Sequence, residues 1–329
     1  MWHEPPPYRR RILNPSLIFA TPTVYDGANL LEGAMAKRYA IGFDIGGTKV
    51  EASLIDQEGG ILETFRKPAP KENGTMLDLI VNMARQTIGR QEIEGIGFSI
   101  PGSLDPKTGL LRNAPNSPAI ENTFLAADLA ARLPHRLAFE NDANCLVSSE
   151  TLFGAARGYH YVVGIILGTG VGGGVIMDGQ LLHGAHGLAP EIGHMLLDIN
   201  GRVCGCGNRG CIEAYLSGPS VLARFHDAGG DTTVLDTKSL YLLGSSDDLA
   251  ARIIKETENY FVRMIGVLMS MYDPEAFVLG GGLSLQQRFY ELSDEIARVS
   301  FGTDRVPPIL RAEGGDSSGK LGAAALILG

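Results

Sequence analysis

Cysteine is scarce in this chain: four residues in 329. So small a thiol count fits a cytoplasmic protein that keeps its cysteines reduced. Long apolar runs are also missing. None approaches the roughly 18 residues that a membrane span needs, so no membrane partner is expected. Basic charge is not in excess. Lys and Arg number 28 against 37 Asp and Glu, a formal net charge of −9, so no nucleic-acid surface is expected. Two nucleotide signatures are absent as well. There is no G-x-x-x-x-G-K-[ST], and no G-x-G-x-x-G that opens a helix with an acid about 20 residues on. A P-loop or a dinucleotide fold is therefore not favoured.

Glycine, by contrast, is abundant, at 43 residues. That is nearly twice the usual share of about 7%. The glycines cluster beside apolar stretches, as tight turns near a ligand would require. "RYAIGFDIGGTKVEASLID" (38–56) is an apolar run, a glycine turn and a second run alternating with polar residues, the pattern of a β-hairpin. "YVVGIILGTGVGGGVIMDG" (161–179) repeats that plan, with Gly168 standing 122 residues after Gly46. The period is too long for a solenoid and reads as a duplication at the scale of a domain. A third junction of this kind is "AFVLGGGLS" (276–284).

Between these lie helical patterns, with apolar residues three and four apart at 75–88, 249–272 and 286–299. The final "SGKLGAAALILG" reads as an apolar helix entered through glycine. The fold class expected is α/β with two similar halves. The first 34 residues stand apart, with three consecutive prolines, three arginines and a short apolar piece broken by Asn14-Pro15. They read as a disordered tail, or as sequence upstream of a natural start at Met35. An export signal is the alternative, and the interrupted apolar run argues against it.

A strand that ends in Gly-Gly-Thr-Lys presents successive backbone N–H groups with no side chain in the way. Such turns cradle phosphate oxygens. Asp44, just before the first turn, is placed to organise a hydrated Mg²⁺, and Lys49 adds positive charge. The turn Gly168-Thr169-Gly170 would hold the same nucleotide from the other side. A single glycine turn is usually no more than a hairpin turn; two matching ones, one per half, imply a nucleotide in the cleft between them.

Three of the four cysteines crowd into "VCGCGNRGCIE" (203–213), with His194 ten residues before Cys204. Three thiolates and an imidazole suffice for a closed tetrahedral zinc site, which would pin a loop and not catalyse. A reduced cluster without metal, or a disulfide, is the alternative. Cys145 stands outside and reads as an ordinary buried thiol. Glu191 and Glu213 flank the cluster. Asp142, in "FENDANC", is either the cap of the helix that follows or a general base.

The segments "GFDIGGTK", "ENDAN", "LGTGVGGG", "EIGH" and "CGCGNRGCIE", in this order, resemble the ROK family of sugar kinases and sugar-responsive repressors, within the actin-like ATPase superfamily. The resemblance covers about residues 38–329. It implies a duplicated actin-like (ribonuclease H-like) ATPase fold, with two domains and a central cleft. Residues 35–140 would form the N-terminal domain, with 317–329 packing back on it, and 141–316 the C-terminal domain with its zinc loop. It implies ATP-dependent phosphorylation of a hexose hydroxyl, with Asp142 as base and Asn141 orienting the ring. Gly102, Asn116, Glu191, His194 and Glu213 would contact the sugar, and His194, Cys204, Cys206 and Cys211 would bind zinc. Gly42, Asp44, Gly46, Gly47, Thr48, Lys49, Gly168, Thr169, Gly170, Gly172, Gly173, Gly281 and Gly282 would line the nucleotide. A homodimer is implied too.

The sugar is less legible. "IPGSLDPKTG" looks like the fructokinase/mannokinase branch, "CGCGNRGCIEAYLSG" as much like N-acetylglucosamine kinase, and "EIGHM" like glucokinase. "NSPAIEN" lacks the tryptophan often found near that loop in fructokinase- and glucokinase-type members. Phosphorylation at the 6-hydroxyl of fructose, mannose or glucose is the first expectation, and N-acetylglucosamine or N-acetylmannosamine the alternative. A sugar-responsive transcriptional regulator is a rival of another class. It would need a DNA-binding domain of several tens of residues, where only 34 proline-rich residues precede the core. A zinc-dependent binding module without catalysis would leave both glycine hairpins unexplained.

Overall fold

The computed structural model describes residues 37–88, 91–302 and 305–329. The 1–34 tail and the start at Met35 lie outside the described residues. Two five-stranded sheets share one plan. In the first, β1 (Tyr39–Ile45), β2 (Lys49–Asp56) and β3 (Ile61–Pro68) form an antiparallel meander. Helix α1 (Asn73–Ile88) follows, and β4 (Ile96–Ile100) pairs parallel to β1. A small ribbon, β5 (Ser103–Leu104) with β6 (Leu111–Arg112), and helix α2 (Leu125–Ala130) lead to β7 (Leu137–Asn141), parallel to β4. The order is β3-β2-β1-β4-β7.

Helix α3 (Asp142–Leu152) leads into the second sheet. Its strands are β8 (Val162–Leu167), β9 (Val171–Met177), β10 (Gln180–Leu181), β11 (Ala276–Gly280) and β12 (Ile309–Arg311), in the order β10-β9-β8-β11-β12. Between β10 and β11 lie the cysteine loop and helices α4 (Glu213–Leu216), α5 (Gly218–Asp227), α6 (Thr237–Leu243) and α7 (Asp248–Tyr272). Helices α8 (Ser293–Val299) and α9 (Ser318–Leu328) complete the chain. Each sheet is an antiparallel meander joined to parallel strands, the duplicated ribonuclease H-like pattern.

Burial explains the strands. β1 and β4 are covered on both faces, so they read as nearly continuous apolar runs. β3 is an edge, alternating in exposure and charged at Glu63, Arg66 and Lys67, which discourages pairing with another chain. Phe43, Phe98 and Phe139 stack across β1, β4 and β7, with ring centroids 5.0 and 4.6 Å apart. Such pairs add about 0.5–1.5 kcal/mol each beyond the area they bury.

α9 is the seam of the molecule. It packs on β1, β4 and β7 and lies against α3. Backbones meet there at glycines: a Cβ at Gly42 would overlap the Lys320 carbonyl, one at Gly97 that of Ala323, and one at Gly322 that of Cys145. The glycine-alanine sequence of α9 is what permits this approach. The terminal segment thus packs on the first sheet.

One helix departs from expectation. The pattern at 286–299 breaks into a 3-10 turn over Gln287–Glu291 and α8 over Ser293–Val299. Phe289 is buried against Phe261, with centroids 4.6 Å apart, and Leu292 is fully buried. The Tyr290 hydroxyl donates to the Ser284 carbonyl at 2.7 Å. These anchors override the helical periodicity.

Candidate active site

The parallel strands β1, β4, β7, β8 and β11 all run out into the residues singled out from the sequence: Gly46, Gly102, Asp142, Gly168 and Gly281 respectively. Ligands in open α/β sheets bind outside the carboxyl ends of the strands, so topology alone gathers these segments into one cleft.

The first turn is short. Gly46 N–H donates to the Lys49 carbonyl at 2.9 Å, with Thr48 exposed at the tip. A Cβ at Gly47 would overlap the Asn116 carbonyl, so this turn touches the 113–117 loop. Gly102 and Asn113 have φ of 76° and 64°, and shape that loop. The second turn is built alike. Gly168 N–H donates to the Gly170 carbonyl at 3.0 Å, with Thr169 exposed. Gly281, at φ 84°, lies against the Leu167 carbonyl. Gly218 N–H, at the start of α5, donates to the Gly168 carbonyl at 2.8 Å. A helix N-terminus beside a glycine turn favours anions.

Some glycines have a different explanation. Gly42 is held under α9, and Gly172, Gly173 and Gly174 face Ala143, Ile192 and Val147. Their packing accounts for them without a nucleotide. Gly282 begins a 3-10 turn beyond β11, and nothing lies against it. Lys49 is not a free cation at the turn: its Nζ lies 2.7 Å from Glu51 Oε2. Burial of Glu51 opposes its ionisation, but Lys49, Lys320 and Arg66 together hold its pKa below the usual value. Lys71, not singled out from the sequence, donates from Nζ to the Gly47 carbonyl at 2.9 Å.

Asp142 opens α3. The capping role belongs to its neighbour: Asn141 Oδ1 accepts from Asn144 N–H at 2.7 Å, an interaction of about 1 kcal/mol. Asp142 Oδ1 accepts from the Ala143 N–H at 2.8 Å, and the residue is open to the cleft. The surrounding protein still strips it of water, and this burial pushes its pKa up against the pull of the Ala143 N–H. Asp44 is also raised, first by burial, with Glu51 and Asp142 adding to it and Lys49 opposing. Glu191 is raised by burial and by Asp142 and Glu213, while His194 opposes. Asp44 and Asp142, Asp142 and Glu191, and Glu191 and Glu213 are thus near enough to act on one another's charge. Acids crowded in this way suit sugar hydroxyls and hard cations, and the carboxylate at Asp44 fits a hydrated Mg²⁺.

At the far wall the ligand atoms of His194, Cys204, Cys206 and Cys211 lie within 4.8 Å of one another. Cys206 and Cys211 sulfurs are 3.7 Å apart, and Cys204 sulfur is 3.8 Å from His194 Nδ1. A tetrahedron with ligand arms of about 2.3 Å has edges of about 3.8 Å, so the donor set fits zinc in both chemistry and spacing. All four cysteines are free, which sets the disulfide alternative aside. Cys145 is buried and outside the cluster. Gly207 and Gly210, with φ of 92° and 74°, fold the loop. Glu213 ties this loop to the second turn: Oε2 accepts from Val171 N–H at 3.0 Å, and Oε1 lies 3.8 Å from Cys204 sulfur.

Comparison with known proteins identifies the family. The ROK family model matches residues 40–329. The chain belongs to the ROK family. It is 35% identical to the N-acetyl-D-glucosamine kinase of Haemophilus influenzae over 309 residues, covering 87% of this chain and 98% of that one. It is 33% identical to the glucokinase of Thermotoga maritima, covering 76% and 84%. The ROK hexokinase of Thermus thermophilus superimposes with a TM-score of 0.80 at 31% identity, covering 88% and 97%. The duplicated actin-like fold is thereby shared with family members of known structure. Among the described residues no helix is long and apolar enough to cross a membrane.

Proposed function

We propose that this ROK protein is an ATP-dependent sugar kinase that transfers the γ-phosphoryl group to the 6-hydroxyl of a hexose. The observation that carries this reading is Asp142: an open carboxylate with a raised pKa, at the strand end where both glycine turns and Glu191 converge. Asp142 accepts the hydroxyl proton as the sugar oxygen bonds to phosphorus and the bond to the ADP oxygen breaks. Phosphoryl transfer is mostly positioning and charge stabilisation, so one base is enough. Asn141, fixed by its capping bond, orients the ring through its free amide. Glu191 and Glu213 accept from sugar hydroxyls, alongside Gly102 and Asn116. The turns at Gly46–Thr48 and Gly168–Gly170 hold the phosphates. Bound Mg²⁺ at Asp44 would offset phosphate charge in this acidic cleft.

Zinc held by His194 Nδ1, Cys204, Cys206 and Cys211 would stiffen the loop that carries Glu213. It would leave His194 Nε2 for a sugar hydroxyl. Closure of the halves, 35–140 with 317–329 against 141–316, would exclude water, so that phosphate passes to sugar and not to solvent.

N-acetylglucosamine is the second reading of the substrate. The similarity to N-acetyl-D-glucosamine kinases along nearly their whole length supports it, and the similarity to a glucokinase supports plain hexose. The test is ADP release from ATP and Mg²⁺ against glucose, mannose, fructose, N-acetylglucosamine and N-acetylmannosamine. A response to one or two sugars is expected. Release indifferent to every sugar contradicts the reading.

A further inference from the structure

Glu140 immediately precedes the Asn141–Asp142 pair, and the roles assigned so far leave it unused. Its carboxylate makes three contacts. Oε1 lies 2.5 Å from His183 Nε2. Oε2 accepts from Asn144 Nδ2 at 2.8 Å and from Asn141 N–H at 3.3 Å. Asn141 and Asn144 bracket Asp142, one before it and one in the first turn of α3. His183 arrives from elsewhere, in the loop that follows β10 of the second sheet. One carboxylate of the first sheet thus fastens a loop of the second sheet to the residues on either side of Asp142. The pair also forms part of the wall of a cavity of about 70 Å³, together with Ile100, Ser103, Phe139 and Asn141.

We propose that His183 is a positioning residue: through Glu140 it latches the loop after β10 onto the start of α3 and so holds Asn141 and Asp142 in register with the sugar. The substrate side of this inference rests on the kinase reading above; the latch itself does not.

The chemistry of the pair makes the latch dependent on charge. The hydrogen bond to Glu140 raises the His183 pKa above its usual value, burial opposes it, and the Leu181 carbonyl assists. Glu140, from β7, is the titratable neighbour that lines the cavity with His183; the Ser103–Pro106 side presents only Ser103, Leu104 and Pro106. A protonated imidazole bound to a carboxylate is a charge-assisted hydrogen bond, roughly twice as strong as a neutral one. It persists to a higher pH than the charge of an ordinary histidine would and loosens beyond it.

The test uses the full-length protein, with kcat and KM measured from about pH 6 to pH 10. His183→Ala should lower kcat about tenfold, the loss expected for one charge-assisted hydrogen bond, with KM for ATP unchanged. The alkaline fall in wild-type kcat should vanish in His183→Gln, which keeps a neutral donor and recovers most of the rate. Adding Glu140→Gln to His183→Ala should cost little more. A His183→Ala enzyme with wild-type kcat and an unaltered pH profile overturns the proposal. If the wild-type protein phosphorylates none of the sugars, the kinase reading has failed instead, and the latch is read by NMR titration of the His183 ring. Its pKa should fall in Glu140→Gln; an unchanged titration overturns the latch.

Discussion

In the first sheet the turn Gly46–Thr48 leans on main chain and on a surface cation: Gly47 sits against the Asn116 carbonyl, and Lys71 reaches the Gly47 carbonyl from an exposed position. In the second sheet the turn Gly168–Gly170 is held by a half-buried carboxylate: Glu213 receives the Val171 N–H and lies against the Cys204 sulfur, while Gly218 at the start of α5 bonds to Gly168. The strands that carry the two turns pair alike, residue for residue in an antiparallel register. Duplication thus reproduces where a turn lies. The segments added around it decide how firmly it is held. The second half has a cluster fit for a metal and a carboxylate leading from it; among the described residues the first half has no such cluster.

This contrast can be broken from either side. The larger effect is expected at Cys211. Cys211→Ser removes a ligand of the proposed zinc site and frees the loop that carries Glu213. Metal content should fall from about one zinc per chain to near none, and activity by at least tenfold, with KM for sugar rising as well. Metal analysis by mass spectrometry beside steady-state kinetics checks this. A metal-free protein of full activity would remove the clamp. The smaller effect is expected at Lys71. Its contact is exposed and worth less than about 1 kcal/mol, so Lys71→Ala should change KM for ATP by no more than a few-fold and leave kcat and zinc content alone. A Lys71 loss as large as that of Cys211 would reverse the ranking of the two anchors.

Much of this arrangement was legible in the sequence because it is local. Hairpins declare themselves by alternation around glycine, and three cysteines within eight residues can scarcely avoid one another. The duplication was visible as one pattern written twice. What escaped depends on contacts between distant segments. Gly42 and Gly172 look like members of glycine turns, yet they meet α9 and α3. Nothing near Lys49 announces that Glu51 neutralises it, although both project from the same strand. Asp142 and Asn141 compete for one cap, and only the backbone geometry awards it to Asn141. The pairing of Glu140 with His183 joins two sheets and leaves no periodic trace. The helix expected over 286–299 failed for a related reason, since Phe289 and Leu292 are claimed by the core.

The central claim is that Asp142 takes the hydroxyl proton, and Asp142→Asn tests it most directly. Turnover with the preferred sugar and direct sugar binding should be measured on the same preparation. Because burial holds the Asp142 pKa up, wild-type activity should fall with decreasing pH through a value above that of an ordinary aspartate. Ionised in the free protein, this carboxylate opposes folding, and that cost is relieved only as pH drops. The amide variant should therefore melt no lower than wild type, bind sugar within a few-fold, and lose about a thousandfold in kcat. An Asp142→Asn protein that still turns over near the wild-type rate would contradict the account.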